Sequence, residues 1–207
     1  MIRPKHLKVA GLILLLLVLL TAGALRFLPH LPCPAEGAAV TPDRRAFMRL
    51  KNRVGAPTRQ DFDEGVSLEA LLRPGEDRGR WSESRAGRVE GYVVEVVEAG
   101  AEAANCFSPA GRDTHIHIAA RPDAPARETA VLEVTPRLER WAARRGLDWS
   151  EATLRRELLG RWCRFEGWLF FDAGHAGEAE NTAPGAGGNW RATAWEIHPI
   201  TRLTAVR

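Results

Sequence analysis

The chain has 207 residues, 45% of them hydrophobic and 27% charged, which fits one globular domain with extensions and excludes wholesale disorder. Its net charge of +3 belongs to the N-terminus: Arg3, Lys5, Lys8 and Arg26 are the only Lys, Arg, Asp or Glu before Leu28. Removing these four from 29 basic residues leaves 25 against 26 acidic ones, so a strongly basic, nucleic-acid-binding domain is not indicated.

Residues 9–25 are uncharged and rich in Leu, and they follow a basic flank. The run is near the length of a short spanning helix, for which about 17–25 residues are expected. Ala22-Gly23-Ala24 also suits a cleavage site, so residues 1–27 read as a signal anchor or a signal peptide. Either reading exports the rest of the chain. The domain then sits on the periplasmic or extracellular side of the cell membrane, or is secreted if the segment is cleaved. Export permits disulfides, but Cys33, Cys106 and Cys163 are an odd number. A Cys106–Cys163 bridge and a buried free thiol at Cys163 both remain open.

Residues 28–42 hold several prolines and read as a linker, and residues 43–87 as an arm with short helices. One of these helices covers residues 43–53; the other spans 67–72, capped by Ser67 and stopped by Pro74-Gly75. From 88 to 207 the pattern changes. Strands are expected at 89–98, 114–119, 130–135, 161–171 and 190–198, the last extended by 200–206. Gly91 suggests a bend or bulge in the first. Between the third and fourth strands lies a helical stretch that Gly146 splits in two, with Asp148 or Ser150 to cap the second piece and Gly160 to end it. The Gly- and Ala-rich stretch 172–189 reads as a mobile loop. A helix between strands three and four of a five-stranded unit is the plan of the OB-fold, so the expected class is mainly β (α+β), an OB-fold-like barrel. An SH3-like barrel and an open α+β sheet are the alternatives.

The chemistry gathers at Asp113-Thr114-His115-Ile116-His117-Ile118. Alternation in a strand sends Ile116 and Ile118 to the core and Asp113, His115 and His117 to the other face. Glu133 on the third strand, and Glu196 with His198 on the fifth, repeat the pattern. If these strands are neighbours, His115, His117 and His198 are candidate metal ligands, for zinc, manganese or non-haem iron. Glu133 and Glu196 are then candidate general bases toward a metal-bound water. Asp113, Arg137, Arg191 and Trp168 are candidate ligand-binding residues, with Trp168 as a stacking platform for a base or sugar. The bland alternatives are a polar outer barrel face with His–Glu pairs, and a Trp168 that packs under the arm.

The sequence also resembles an uncharacterised group of bacterial exported proteins. The matching text is Asp113-Thr114-His115-Ile116-His117, Glu133-Val134-Thr135-Pro136-Arg137, Gly167-Trp168-Leu169-Phe170-Phe171-Asp172 with His175, and residues 190–199 from Trp190 to Pro199. The resemblance implies an exported OB-like domain and carries no activity. Three readings follow. The first is a membrane-anchored binding module for a polar small molecule, oligosaccharide or oligonucleotide. The others are a metal-dependent phosphodiester-type hydrolase using the same cluster, and a structural envelope-assembly domain.

Overall fold

In the computed structural model, which describes residues 33–206, alternating apolar side chains close five strands into a barrel. The strands are β1 (Ala86–Glu98), β2 (Thr114–Ala119), β3 (Ala130–Val134), β4 (Trp162–Phe171) and β5 (Trp195–Ala205). Their order around the barrel is β1-β2-β3-β5-β4. β3 runs parallel to β5, and the other neighbouring pairs are antiparallel. Val89, Val93, Ile116, Leu132, Phe165, Leu169 and Ile197 belong to the core, each at most 2% exposed. Burying each such side chain stabilises the fold by about 1.5–3 kcal/mol relative to leaving it in water.

The described residues hold four α-helices. These are α1 (Pro42–Lys51), α2 (Leu68–Leu72), α3 (Pro136–Ala143) and α4 (Glu151–Leu158). Thr41 Oγ1 caps α1 by accepting from the Arg44 backbone N–H, and Pro42 sits in its first turn. Ser67 caps α2 as expected, its Oγ accepting from Ala70 N–H. α3 and α4 fill the connection between β3 and β4 and bury Leu138, Ala142, Leu154 and Leu158 in the barrel's core. Gly160, at φ +76°, ends α4 in the left-handed conformation that glycine adopts at no steric cost.

Several boundaries differ from expectation. β1 starts at Ala86, and its bulge lies between Val93 and Glu95, not at Gly91. Gly91 instead answers a close approach: a Cβ there would stand 3.0 Å from both Ile118 Cβ and Leu68 Cδ2. Thr135 leaves β3 to cap α3, its Oγ1 accepting from Leu138 N–H. Ser150 holds the cap position of α4, but Asp148 does the side-chain work, accepting from Ser150 N–H and Thr153 Oγ1. β5 begins at Trp195, because residues 190–194 pair with the preceding loop and with Asp77. That loop is tied down rather than open: Glu180 accepts from Gly185 N–H and from Asn189 Nδ2, which also donates to the Ala183 carbonyl.

Cys33 and Cys106 are disulfide-bonded and Cys163 is a buried free thiol, which excludes a Cys106–Cys163 bridge. The expected membrane segment, residues 1–27, lies outside the described residues. Among the described residues no helix is long and apolar enough to cross a membrane.

Candidate metal centre

Strand register assembles the site. β2 and β3 pair with His115 opposite Glu133, and β3 pairs with β5 through Leu132 and Ile197. Leu132, Ile116 and Ile197 point into the core. The alternate residues therefore fall in one row on the outer wall: His115, Glu133, His198. Glu133 Oε1 lies 3.1 Å from His115 Nε2, and Glu133 Oε2 lies 2.9 Å from His198 Nδ1. The same His198 nitrogen meets Glu196 Oε2 at 3.2 Å.

This wall is polar but not wet. Phe47 on α1 packs on Phe170 of β4 (ring centroids 4.9 Å), and Phe170 lies 5.3 Å from the His198 ring. Lys51 follows on the same helix, only 6% exposed, with Nζ 2.6 Å from Glu102 Oε2. The loop after β1 brings Asn105, whose Nδ2 donates to Asp113 Oδ1 at 3.0 Å. From the other side come Trp190, stacked on His115 with planes 7° apart, and Arg191. Arg191 is fully buried, with Nη2 2.8 Å from Glu196 Oε1 and Nη1 3.3 Å from Asp172 Oδ2. Asp172 in turn holds His175 Nδ1 at 2.5 Å, at the rim.

Burial and neighbours set the charges. Burial raises Asp113 to about 7, helped by the Glu133 carboxylate. For His115 and His198 burial works against the proton, yet Glu133 outweighs it and lifts them to about 9 and about 10. Glu133 is held well below the usual carboxylate range: the cost of burial is outweighed by His198, His115 and Lys51. Glu196 is raised by burial and by Glu133. His117 goes the other way, down to about 4, through burial and the charge on His115.

Two groups of side chains can each offer one ligand atom within 4.8 Å of the others: Asp113, Glu133 and His198, all buried, and Glu102, His115 and Glu133, nearer the surface. Five polar atoms in or beside them have no hydrogen-bond partner: Asp113 Oδ2, His115 Nε2, Glu133 Oε2, Glu196 Oε1 and His198 Nε2. The short contacts from Glu133 Oε1 to His115, from Glu133 Oε2 to His198 and from Glu196 Oε1 to Arg191 are thus close in distance but not directed as hydrogen bonds.

Of the residues singled out in the sequence, the structure brings together Asp113, His115, Glu133, Arg191, Glu196 and His198. It leaves three outside. His117 is turned to Thr129 Oγ1 (3.4 Å) and Glu95 Oε2 (3.7 Å), and belongs to neither ligand group. Trp168 donates from Nε1 to the Gly55 carbonyl at 2.7 Å and lies under the Arg53 guanidinium, 5.0 Å from the ring centroid, so the arm covers it. Arg137 donates to Asn52 Oδ1 and the Pro34 carbonyl, fastening the arm. Lys51, Glu102 and Asn105 are the members that sequence reasoning missed. Each comes from a helix or loop whose docking is a tertiary event, without a local pattern to announce it. Cavities of about 700 and 450 Å³ open elsewhere, one beside Trp141 and Trp149, the other beside Arg121 and Asn181; no member of the cluster lines either.

No known protein family matches this sequence, and no curated protein is similar to it.

Proposed function

We propose that the chain is an exported, OB-fold-like binding module whose ligand is a divalent metal ion, held by Asp113, Glu133 and His198 on the outer wall of the barrel. The strand order, with β3 parallel to β5 and helices between β3 and β4, supports the OB-like plan. The disulfide-bonded Cys33 and Cys106 suit an oxidising compartment, in line with export and a membrane-attached or secreted domain.

One observation carries the metal reading. His198 is fully buried, its Nδ1 is engaged by Glu133 and Glu196, and its Nε2 has no partner. A buried polar atom without a hydrogen-bond partner costs about 1–3 kcal/mol, and an ion ligated by Nε2 would relieve that cost. The Glu196 contact on Nδ1 is the arrangement that orients a ligating imidazole and fixes its tautomer. Charge points the same way. The acids Glu102, Asp113, Glu133, Asp172 and Glu196 face two permanent cations, Lys51 and Arg191, with His175 pairing Asp172 at the rim. A divalent ion would supply the positive charge these acids lack; otherwise protons must, on the histidines and on Asp113 and Glu196, which burial pushes up. Protons would leave an imidazolium N–H of His198 buried and unpaired; an ion would not. Nitrogen and carboxylate donors suit zinc, manganese or iron(II).

A buried inner set describes a holding site better than an open one. The hydrolase reading keeps one observation in its favour: the cluster continues to the surface through His115 and Glu102, whose side chains are 15% and 24% exposed.

The test is metal content. The full chain, purified in detergent without a histidine tag or chelator, is expected to carry about one zinc, manganese or iron by elemental mass spectrometry. His198→Ala should abolish it and His117→Asn should leave it unchanged. A metal-free wild type that stays so after all three ions are added back would contradict the proposal.

A further inference from the structure

Glu133 serves two ligand groups at once, one oxygen toward His198 and the other toward His115. A carboxylate so placed is a bridge between two cation positions. The inner position has been described. The outer one is bounded by Glu102, His115 and Glu133, with one donor atom from each within 4.8 Å of the others. In this outer set the buried His115 Nε2 lacks a hydrogen-bond partner, and Glu133, which closes the set on its inner side, is only 2% exposed. Lys51 reaches this outer set. Its Nζ sits 2.6 Å from Glu102 Oε2, buried, and no carboxylate on its own helix accounts for the burial.

We propose that Glu102, His115 and Glu133 form a second cation position, sharing Glu133 with the inner one, and that the Lys51 ammonium is its resident cation. The centre is then an inner metal with an ammonium beside it, the ammonium held at the Glu102 end of the outer set. The inference rests on the inner metal reading. The physical case is a balance of charge and space. A divalent ion in the inner position leaves the outer carboxylate of Glu102 needing one more positive charge, and Lys51 supplies it from α1. Burying an ammonium is expensive unless it is paired, so Lys51 stays only while the acids around it remain ionised. An ammonium has three donors and no preferred ligand geometry. It fits where a second metal would otherwise find a histidine and two carboxylates, a donor set suited to zinc or manganese.

The experiment removes the ammonium and keeps its stem. Full-chain wild type, Lys51→Met, Lys51→Arg and the double variant Lys51→Met/Glu102→Gln are incubated with excess Zn²⁺ or Mn²⁺, desalted, and assayed for metal per chain. Circular dichroism confirms that each variant is folded. The expected result is one ion in wild type and in Lys51→Arg, two in Lys51→Met, and one again in the double variant. One ion in Lys51→Met beside one in wild type would overturn the second position and leave the inner site standing. No ion in wild type or any variant would overturn both. Two ions in wild type would overturn Lys51 as the occupant, and a first ion appearing only in Lys51→Met would show that lysine blocks the inner position instead.

Discussion

At the scale of single residues, Glu133 is the pivot, because one buried carboxylate answers two histidines, with the Lys51 charge farther off also holding it ionised. Replacing it with Gln keeps the shape and removes the charge. Breaking a buried pair by deleting one partner costs about 3–5 kcal/mol, so Glu133→Gln should lower the unfolding free energy by that amount in urea titrations. A change below about 1 kcal/mol would mean that the cluster is not the paired network described, since a lone hydrogen bond is worth roughly that much. The sequence made this row of residues visible, because period-two alternation is local and strict. It did not separate His117 from His115. Both lie on one face of β2, and only the identity of the facing residue on β3 distinguishes them: His115 meets Glu133, whereas His117 meets Val131. Lys51 was invisible for a different reason. Its helix is short and mostly polar, and nothing local says that it will lie across a barrel wall.

At the scale of elements, β2 was readable to the residue and β5 was not. Thr114–Ala119 follows the polar Arg112-Asp113 pair, and its residue types alternate from Thr114 to Ile118, as β2 requires. Trp190–Ala194 also looks extended and apolar, yet its partners are the loop before it and the buried Asp77, which accepts from Thr193 Oγ1 and Ala194 N–H. Such non-local hydrogen bonds override a strand-like sequence. The helices followed their end signals more closely, and Asp148 is the instructive case. Hydrogen bonds from Thr153 and Ser150 hold its carboxyl down at about 2, against an ordinary value of 3.8. A depressed folded pKa gives stability that is present above the unfolded value and lost as pH falls through the folded one. Asp148→Asn should therefore be less stable than wild type at pH 5, and the gap in melting temperature should close between pH 4 and pH 2. A gap of constant size across that window would show that the carboxylate charge contributes nothing at the start of α4.

For the whole molecule, the barrel and the segments outside it do different jobs. The barrel fixes a row of imidazoles and carboxylates by register, and the arm with α1, the loop carrying Glu102 and Asn105, and the segment carrying Trp190 and Arg191 cover it. Barrel closure was legible because alternation and the placement of the helical connection restrict the topology. The cover was not, because it depends on contacts such as Arg53 donating to the carbonyls of Glu83 and Leu169 across long stretches of chain. That cover turns a solvated polar face into a dry one, where unpaired atoms are costly and an ion is worth holding. The most direct measurement is anomalous X-ray diffraction from crystals grown with Zn²⁺, collected above and below the zinc edge. The account predicts one strong anomalous peak bounded by Asp113, Glu133 and His198, with Lys51 still against Glu102. Ordered side chains with no peak among those three residues, or a peak held by His115 and His117 instead, would contradict it.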